Sequence, residues 1–359
     1  MTYTNQLIEL PQNRVWRGYQ GGRILDQLAG KEHPCDSHFP EDWIGSAVPA
    51  NNPDSQGETE GISTVLINGR EWLFSDLLAQ DPEYFLGPDQ VSRYGDRPML
   101  LVKLLDSAVR LPLQAHPTAE FARAGLGSNA GKAEAYYILD VREETEDPFV
   151  YLGFQRPPTR DEFKRCIETQ DIATMKSWFD RISVQAGDVV FIPGGVPHAI
   201  GGGIFMVEIM EPSDLAVRFE FTTDGYTLPE SARFMNRGLD FCLDIFDYNA
   251  KTESQVRRDH MFEPRLEVEY SETAHRYHLI GAETTPCYQV KKSIISGKVE
   301  RRESSYFTGV ITAGRCVLKT SESELALDTF DKFFCPAGLD GFTIEADEEV
   351  QILECFPPA

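Results

Sequence analysis

The chain has 359 residues, of which 34 are Lys or Arg and 57 are Asp or Glu, so its formal net charge is −23. Nucleic-acid binding requires clustered cations that neutralise phosphates, and the same acidity argues against an anionic membrane surface, so neither partner is expected. A hydrophobic share of 41% and a charged share of 25% are typical of a packed protein. The length predicts two or three domains, because one hydrophobic core rarely supports so long a chain.

The spacing of the cysteines and the length of the apolar runs indicate the cellular compartment of the protein. No run approaches the ~18 apolar residues of a spanning helix, and the first residues lack the cationic start and apolar core of a secretion signal. The seven cysteines are widely spaced, with no CxxC pair, which is typical of reduced and mostly buried thiols. The sequence therefore predicts a cytoplasmic protein, and it leaves the oligomeric state open.

The elements alternate between short strands and a few helices. Residues 1–95 mix loops with short helical pieces such as 71–78, and antiparallel strands are indicated from 99 to 141. Thr159 and Glu162 form a capping-box pattern that predicts a helical insertion near 159–182. Strands return up to residue 221, and a mostly helical segment is predicted at 223–262. Its expected buried face repeats at steps of three and four, at Ala232, Met235, Leu239, Cys242 and Phe246.

Many short strands separated by Gly and Pro turns indicate a mainly β protein built from sandwiches or barrels. We expect a catalytic barrel at 1–222, the helical segment at 223–262, and a smaller barrel at 263–359. Residues 187–200 and 330–344 share an apolar run, a Pro-x-Gly turn and a return to strand. The first copy carries His198 where the second has Gly341. This repeat favours two related barrels, of which only the first holds a ligand.

Four polar residues form the candidate metal site. Gln114 and His116 are two apart on a predicted strand and so share a face, Glu134 begins the next apolar run, and His198 follows a Gly/Pro turn. Each residue alone is commonly a structural, hydrogen-bonded side chain. Together, two imidazoles, a carboxylate and an amide oxygen suit zinc or another borderline divalent metal.

The same residues carry a resemblance to a known family. The segment GDVVFIPGGVPH fits the second cupin motif, G-x5-P-x-G-x2-H, through His198. The ordered series KLLD, QAHP, GKAE, PHAI and EIMEPSDLAVRFEF resembles the type I mannose-6-phosphate isomerases over residues 98–221. The resemblance implies cupin (jelly-roll) barrels with helical insertions, a catalytic barrel and a smaller, metal-free C-terminal barrel.

The resemblance also implies the roles of individual residues. Gln114, His116, Glu134 and His198 match the zinc ligands, one ion per chain, with another divalent metal as the alternative. Arg218, Glu208 and Lys132 match candidate catalytic residues, and Lys103 and Lys132 match lysines that line the sugar-phosphate pocket. The implied reaction interconverts mannose 6-phosphate and fructose 6-phosphate through an enediolate. The expected partner is a small sugar or sugar phosphate.

Two departures from the family pattern keep alternatives open. Pro112 stands where many members have a serine that helps to bind phosphate, and Glu211 adds a negative charge near the site if it points inward. An isomerase of a free or differently substituted sugar is therefore one alternative. A regulatory cupin that binds a sugar without catalysis is another. A metal-dependent oxygenase ranks last, because the set of four donors differs from the facial triad of two histidines and one carboxylate.

Overall fold

The computed structural model describes residues 4–53, 57 and 59–359. No helix in this part of the chain is long and apolar enough to cross a membrane. The strands are β1 (Ile8–Glu9), β2 (Arg14–Val15), β3 (Glu41–Ile44), β4 (Thr64–Ile67), β5 (Arg70–Leu73), β6 (Leu101–Asp106), β7 (Gln114–Ala115), β8 (Glu134–Val141), β9 (Phe149–Leu152), β10 (Ile182–Ser183), β11 (Val189–Ile192), β12 (His198–Ile200), β13 (Ile204–Met210), β14 (Val217–Arg218), β15 (Thr222–Thr223), β16 (Tyr226–Thr227), β17 (Met261–Phe262), β18 (Arg265–Ser271), β19 (Ala274–Ile280), β20 (Gln289–Arg301), β21 (Phe307–Ala313), β22 (Cys316–Lys319), β23 (Glu324–Leu327), β24 (Lys332–Cys335) and β25 (Phe342–Phe356).

The helices are short. They are α1 (Arg23–Leu28), α2 (Phe74–Leu78), α3 (Pro82–Leu86), α4 (Pro88–Tyr94), α5 (Ala119–Gly125), α6 (Arg160–Thr169), α7 (Ile172–Ser177), α8 (Leu239–Cys242) and α9 (Glu253–His260), with a 3-10 turn at Glu230–Ala232.

Two antiparallel sheets form the first barrel. One has the strand order β17-β11-β8-β13-β6-β3-β2, and the other has the order β10-β9-β12-β7-β14. Side chains alternate across each strand, so Leu105, Tyr136 and Met206 of the larger sheet point inward and meet Val150 and Ile200 of the smaller one. The inward face of the larger sheet also carries the charged residues described below.

Helices α6 and α7 cover the outer face of the smaller sheet. Thr159 accepts a hydrogen bond from the N–H of Glu162, whose side chain in turn accepts from the N–H of Thr159, which completes the capping box. Phe163 of α6 and Met175 of α7 are buried against Ala115 and Val217 of that sheet. The helical stretch indicated by the sequence near 159–182 therefore consists of two helices that complete the hydrophobic core on this side.

A nine-stranded sheet makes up the second barrel. Its main path is β1-β24-β21-β25-β20-β19-β18, and β22 and β23 extend it from β25. Residues of one face fill the barrel interior, as Phe307, Ile344 and Ile352 do. Residues of the other face, such as Val310 and Leu353, pack on the outer face of the larger sheet of the first barrel. The inward-facing charged residues of the first barrel and the second barrel thus lie on opposite faces of one sheet.

Strand β1 differs from the sequence-based division. The sequence predicts a first barrel at 1–222, but Ile8 pairs with Phe334 and Glu9 with Phe333 in the sheet of the second barrel. A strand of two residues is too short to carry a sequence pattern that indicates which strand it pairs with. The remaining boundaries, at 222 and 262, stay predictions.

The segment 223–262 contains less helix than the sequence indicated. Only the turn at Glu230–Ala232, α8 and α9 are helical there. Met235, Asn236 and Gly238 have φ values of 50°, 58° and 80°, and left-handed residues of this kind end a helix. Of the five periodic apolar residues, Cys242 and Phe246 are buried in the core, and Met235 and Leu239 pack against it partly buried. Ala232 is only partly buried and lies outside this cluster. Periodicity therefore predicted the burial in part and the backbone conformation wrongly.

Candidate active site and metal centre

Three of the four predicted metal ligands meet inside the first barrel. Donor atoms of His116, Glu134 and His198 all lie within 4.8 Å of one another, and all three side chains are buried. His116 Nε2 is 3.1 Å from Glu134 Oε1, and His198 Nε2 is 3.5 Å from Glu134 Oε2. Among the described residues, this is the one group of His, Cys, Asp or Glu side chains that is close enough to share an ion.

The hydrogen bonds of the two imidazoles orient their lone pairs. His116 Nδ1 lies 2.8 Å from the carbonyl of Leu215, and His198 Nδ1 lies 2.9 Å from the carbonyl of Val196. Since a carbonyl only accepts, both Nδ1 atoms carry the proton, and both Nε2 atoms present a lone pair to Glu134. Burial lowers the pKa of His116 to about 4, so its ring is neutral at pH 7.

The surroundings of these two lone pairs show whether the three side chains are suited to bind a metal ion. His198 Nε2 is buried and has no hydrogen-bond partner in the described part of the chain. Two imidazole lone pairs facing one carboxylate repel each other unless a cation lies between them. Neutral imidazoles held by backbone carbonyls, together with a carboxylate, form a donor set that zinc prefers. The residues therefore fit a divalent metal.

Three loops hold the ligands in place by contacting one another. The N–H of Gly195 donates to the carbonyl of His116 at 2.6 Å, and the N–H of Lys132 donates to the carbonyl of Pro117 at 3.0 Å. A Cβ on Gly131 would lie 2.6 Å from the Pro117 oxygen, and one on Gly194 would lie 2.9 Å from it. Only glycine allows the backbones to approach so closely.

The fourth predicted ligand is placed by strand register. Gln114 pairs with His198 of β12 on one side and with Arg218 of β14 on the other. Residues directly opposite each other in an antiparallel pair share a face, so all three side chains point into the barrel. Gln114 and Arg218 line the pocket that opens from the site. Burial lowers the pKa of the Arg218 guanidinium, and its one side-chain hydrogen bond, to the carbonyl of Ala232, is long at 3.4 Å.

Lys132 connects this pocket to the metal triad. Its Nζ is 2.8 Å from Glu134 Oε1 and 3.4 Å from His116 Nε2. The lining of the pocket includes Lys132 and Gln114 but does not reach His116, Glu134 or His198. The triad therefore lies one side chain deeper than the pocket, behind the Lys132 ammonium.

Lys103 and Glu208 lie side by side on β6 and β13. Both are buried, and Lys103 Nζ is 3.1 Å from Glu208 Oε2. Burial raises the pKa of Glu208 to about 7, although the Lys103 ammonium acts in the opposite direction. A carboxyl group with a pKa in this range can accept and return a proton near neutral pH.

Sequence reasoning missed a second ionic network in the same pocket. Arg17 donates to Glu41 at 2.9 Å and to both oxygens of Asp214 at 3.0 Å, and Glu41 also lies 3.3 Å from Lys103 Nζ. Burial raises the pKa of Asp214, but Arg17 outweighs it and holds the pKa at about 2. Arg17 and Asp214 are 197 positions apart, so no local pattern connects them.

The structure also shows where Glu211 and Pro112, the two departures from the family pattern, are located. Glu211 accepts hydrogen bonds from the N–H groups of Gly131 and Ala133, at 3.1 Å and 2.9 Å. Glu211 therefore binds the loop that carries Lys132, and it does not line the pocket. Pro112 does line the pocket, close to Glu220. Pro112 thus remains relevant to the substrate, whereas Glu211 has a structural contact.

Comparison with known proteins gives several relatives. No model of a known protein family matches the chain. The probable mannose-6-phosphate isomerase GmuF of Bacillus subtilis is 35% identical over 137 residues, which are 38% of this chain and 40% of the relative. The chain thus spans about two fifths of the length of that relative. A mannose-6-phosphate isomerase of Streptococcus mutans is 25% identical over 350 residues, 94% of this chain and 95% of the relative.

The fold has a counterpart among solved structures. The crystal structure of the mannose 6-phosphate isomerase from Bacillus subtilis superimposes with a TM-score of 0.74 at 22% identity, covering 97% of this chain and 99% of that one. The expectation of a mainly β fold of the cupin type is confirmed by this likeness. The chain is thus similar to a mannose-6-phosphate isomerase in sequence along nearly its whole length, and to a solved mannose 6-phosphate isomerase in fold.

Proposed function

We propose that this chain is a metal-dependent aldose–ketose isomerase that interconverts mannose 6-phosphate and fructose 6-phosphate through an enediolate. The observation that carries the proposal is the pair of imidazole lone pairs facing Glu134 beside a pocket that also presents Arg218 and Glu208. The names of the relatives supply the substrate. One zinc ion, or another divalent metal, is proposed per chain, held by His116, Glu134, His198 and Gln114.

The proposed mechanism moves one proton between C1 and C2 of the sugar. A bound divalent metal supplies Lewis-acid polarisation of the carbonyl and orients the substrate oxygens. Glu208, whose pKa burial raises to about 7, takes the proton from one carbon and returns it to the other. Arg218 places a fixed positive charge in the pocket, which stabilises the enediolate most effectively where water is excluded. Lys132, which lies beside Glu134, and Lys103, which lies between Glu41 and Glu208, are proposed to contact the substrate.

The proposal is tested by assaying the interconversion of the two hexose phosphates with and without a chelator. Glu134→Ala removes a metal ligand, and we expect it to lower kcat/KM by about 10³-fold or more, since a metal supplies several kcal/mol of transition-state stabilisation. Glu143→Ala removes an exposed carboxylate nine residues away and serves as the matched control. Normal turnover by the chelated protein or by Glu134→Ala would contradict the metal-based mechanism.

A second candidate substrate is a free or differently substituted sugar, and Pro112 is the observation that favours it. It lines the pocket without a hydroxyl or an N–H group to donate to a phosphate. The ratio of kcat/KM for mannose to that for mannose 6-phosphate decides between the two. A preference for the phosphate of several orders of magnitude excludes the free sugar.

A protein that binds the sugar without catalysis would show tight binding in the same panel and no exchange of solvent deuterium at C1 or C2. Exchange at either carbon excludes this third reading.

A further inference from the structure

Tyr136 lies on strand β8, two residues after Glu134. Residues two apart on a strand point to the same face of the sheet, so the Tyr136 ring and the Glu134 carboxylate both lie inside the first barrel. Tyr136 also pairs directly with Glu208 of β13, and paired residues share a face. The ring is therefore adjacent to two carboxyl groups, Glu134 along its own strand and Glu208 on the next strand.

The phenol of Tyr136 is a firmly held hydrogen-bond donor. The residue is only 1% exposed, and its ring packs in the core of the first barrel with Ile138, Val190 and Met206. Side chains in such a core interdigitate closely, so the ring has little freedom to move. Its hydroxyl donates to Glu134 Oε2 at 2.7 Å. An ionised carboxylate only accepts, and a phenol keeps its proton at neutral pH, which fixes the direction of this hydrogen bond.

Each oxygen of the Glu134 carboxylate faces one donor and one imidazole. Oε1 lies 2.8 Å from Lys132 Nζ and 3.1 Å from His116 Nε2. Oε2 lies 2.7 Å from the Tyr136 hydroxyl and 3.5 Å from His198 Nε2. Both Nε2 atoms present lone pairs, so the imidazoles do not donate to Glu134. Within the described part of the chain, Lys132 and Tyr136 are therefore the side chains that orient the carboxylate.

These two donors differ in their access to the substrate. Lys132 has a flexible four-carbon stem, lines the pocket and is proposed above to contact the substrate. Tyr136 does not line the pocket, so its hydroxyl has no contact with the substrate to exchange for the one with Glu134. The hydrogen bond from Tyr136 is therefore the contact that keeps Glu134 oriented when Lys132 moves.

The orientation of Glu134 matters for a metal ion because the ligand atoms must converge before the ion arrives. Without the hydroxyl, Oε2 would be buried beside the His198 lone pair and would lack its donor. The carboxylate would then be free to turn towards Lys132, and each binding event would have to reorient it. Groups that hold a metal ligand from behind typically contribute about 10–100-fold to metal affinity.

We propose that Tyr136 is a positioning residue that holds the Glu134 carboxylate in place for a divalent metal. The inference rests on the metal site of the proposed function and adds to it a residue outside the set of ligands. Tyr136 contacts neither the metal nor the substrate and acts through Glu134.

Tyr136→Phe tests the proposal, because it removes the hydroxyl and keeps the ring. Zinc affinity is measured without substrate, by competition with a chromogenic chelator, and we expect the dissociation constant of zinc to rise about 10–100-fold. At saturating zinc, kcat should change less than about threefold, since an interaction outside the transition state leaves kcat largely unaffected. Tyr137→Phe is the matched control. Its hydroxyl lies on the opposite face of the same strand, 2.8 Å from Lys292 Nζ, and its loss should leave zinc affinity unchanged.

Thermal unfolding separates positioning from a merely structural role. A metal that binds only the folded protein raises the Tm by an amount that depends on its affinity. At one zinc concentration, we expect a smaller zinc-induced rise in Tm for Tyr136→Phe than for Tyr137→Phe. An equal rise in both variants, with a Tm for Tyr136→Phe that is lower with and without zinc alike, would assign the hydroxyl to stability alone and overturn the proposal.

Two other results would also overturn it. One is an unchanged dissociation constant of zinc in Tyr136→Phe. The other is a kcat that stays low at saturating zinc, which would assign the hydroxyl to the reaction itself.

The binding measurement also separates this proposal from the proposed function. Weaker zinc binding by Tyr136→Phe in a protein that does not interconvert the two hexose phosphates supports the positioning role and contradicts the isomerase. A zinc-dependent isomerase whose zinc affinity is unaltered in Tyr136→Phe contradicts the positioning role alone.

Discussion

Glu41 and Glu208 share the ammonium of Lys103 but experience different environments. Lys103 Nζ is 3.3 Å from Glu41 Oε2 and 3.1 Å from Glu208 Oε2. Burial acts to raise the pKa of both, but Glu41 also accepts from Arg17 and from the indole N–H of Trp43, and its pKa is held well below the usual range. Among the described residues, Glu208 Oε2 has no such hydrogen-bond donor, and burial raises the pKa of Glu208 to about 7. Of the two carboxyl groups, only Glu208 is suited to exchange protons near neutral pH.

This difference predicts the pH dependence of the proposed reaction. A base must be ionised to accept a proton, so we expect kcat/KM to fall about tenfold per pH unit below pH 7 as Glu208 becomes protonated. Glu208→Gln should lower kcat by about 10²–10⁴-fold, the usual contribution of general base catalysis, and remove the inflection. The measurement is the pH–rate profile of both proteins. An inflection that persists in Glu208→Gln would assign the base to another residue.

At the scale of elements, the site depends on how closely three loops approach one another. Gly131 precedes Lys132, and a Cβ at Gly131 would lie 2.5 Å from the Ala119 nitrogen and 2.6 Å from the Pro117 oxygen. The loop is held from its other side by Glu211 and by Ser213, which donates to the carbonyl of Gly131. A methyl group added at Gly131 would therefore displace Lys132 or Glu134.

Gly131→Ala is predicted to lower kcat/KM by about 10²-fold, because a displacement of about 1 Å suffices for such a loss. Steady-state kinetics with a metal determination on the same sample show whether Lys132, Glu134 or both have moved. Asn129→Ala, at an exposed position of the same loop, is the control and should leave both quantities unchanged. A fully active Gly131→Ala protein would mean that the loops are not tightly interlocked.

The elements also show what the sequence can predict. Helix α6 was predicted from Thr159 and Glu162 because its signal is local, and the same holds for Gln114 and His116, which lie two apart on one strand. The segment around Met235 was assigned to a helix on periodicity alone, although Asn236 and Gly238 are residue types that favour the left-handed conformation and end helices. Periodicity records which side chains are buried, and a broken backbone buries the same side chains as a helix.

At the scale of the molecule, the site is completed by contacts that no local pattern indicates. The pairing of Arg17 with Asp214 and of β1 with β24 joins residues that are distant in the sequence. Such contacts depend on how the two barrels pack, which is decided by many apolar side chains together. The meeting of His116, Glu134 and His198 was predictable because each lies beside a recognisable turn or strand, whereas the pocket wall around them was not.

One buried ion pair links the second barrel to the pocket wall of the first. Lys332 Nζ is 2.6 Å from Asp42 Oδ2, and Asp42 Oδ1 accepts from the N–H of Asn13 at 2.6 Å. Asn13 precedes the segment that carries Trp16 and Arg17 into the pocket. The second barrel therefore acts on the site by holding Asp42, and through it the start of this segment.

Lys332→Met tests this link, because it leaves Asp42 buried without its cation. Removing one member of a buried pair costs about 3–5 kcal/mol, so we expect the free energy of unfolding in denaturant to fall by this amount. KM for the substrate should rise as well, since Asn13 and the segment after it lose their anchor. Lys319→Met breaks a solvent-accessible pair with Glu345 and, as the control, should leave both the free energy of unfolding and KM nearly unchanged. If Lys332→Met lowers stability while KM stays constant, the second barrel stabilises the fold without positioning the pocket wall.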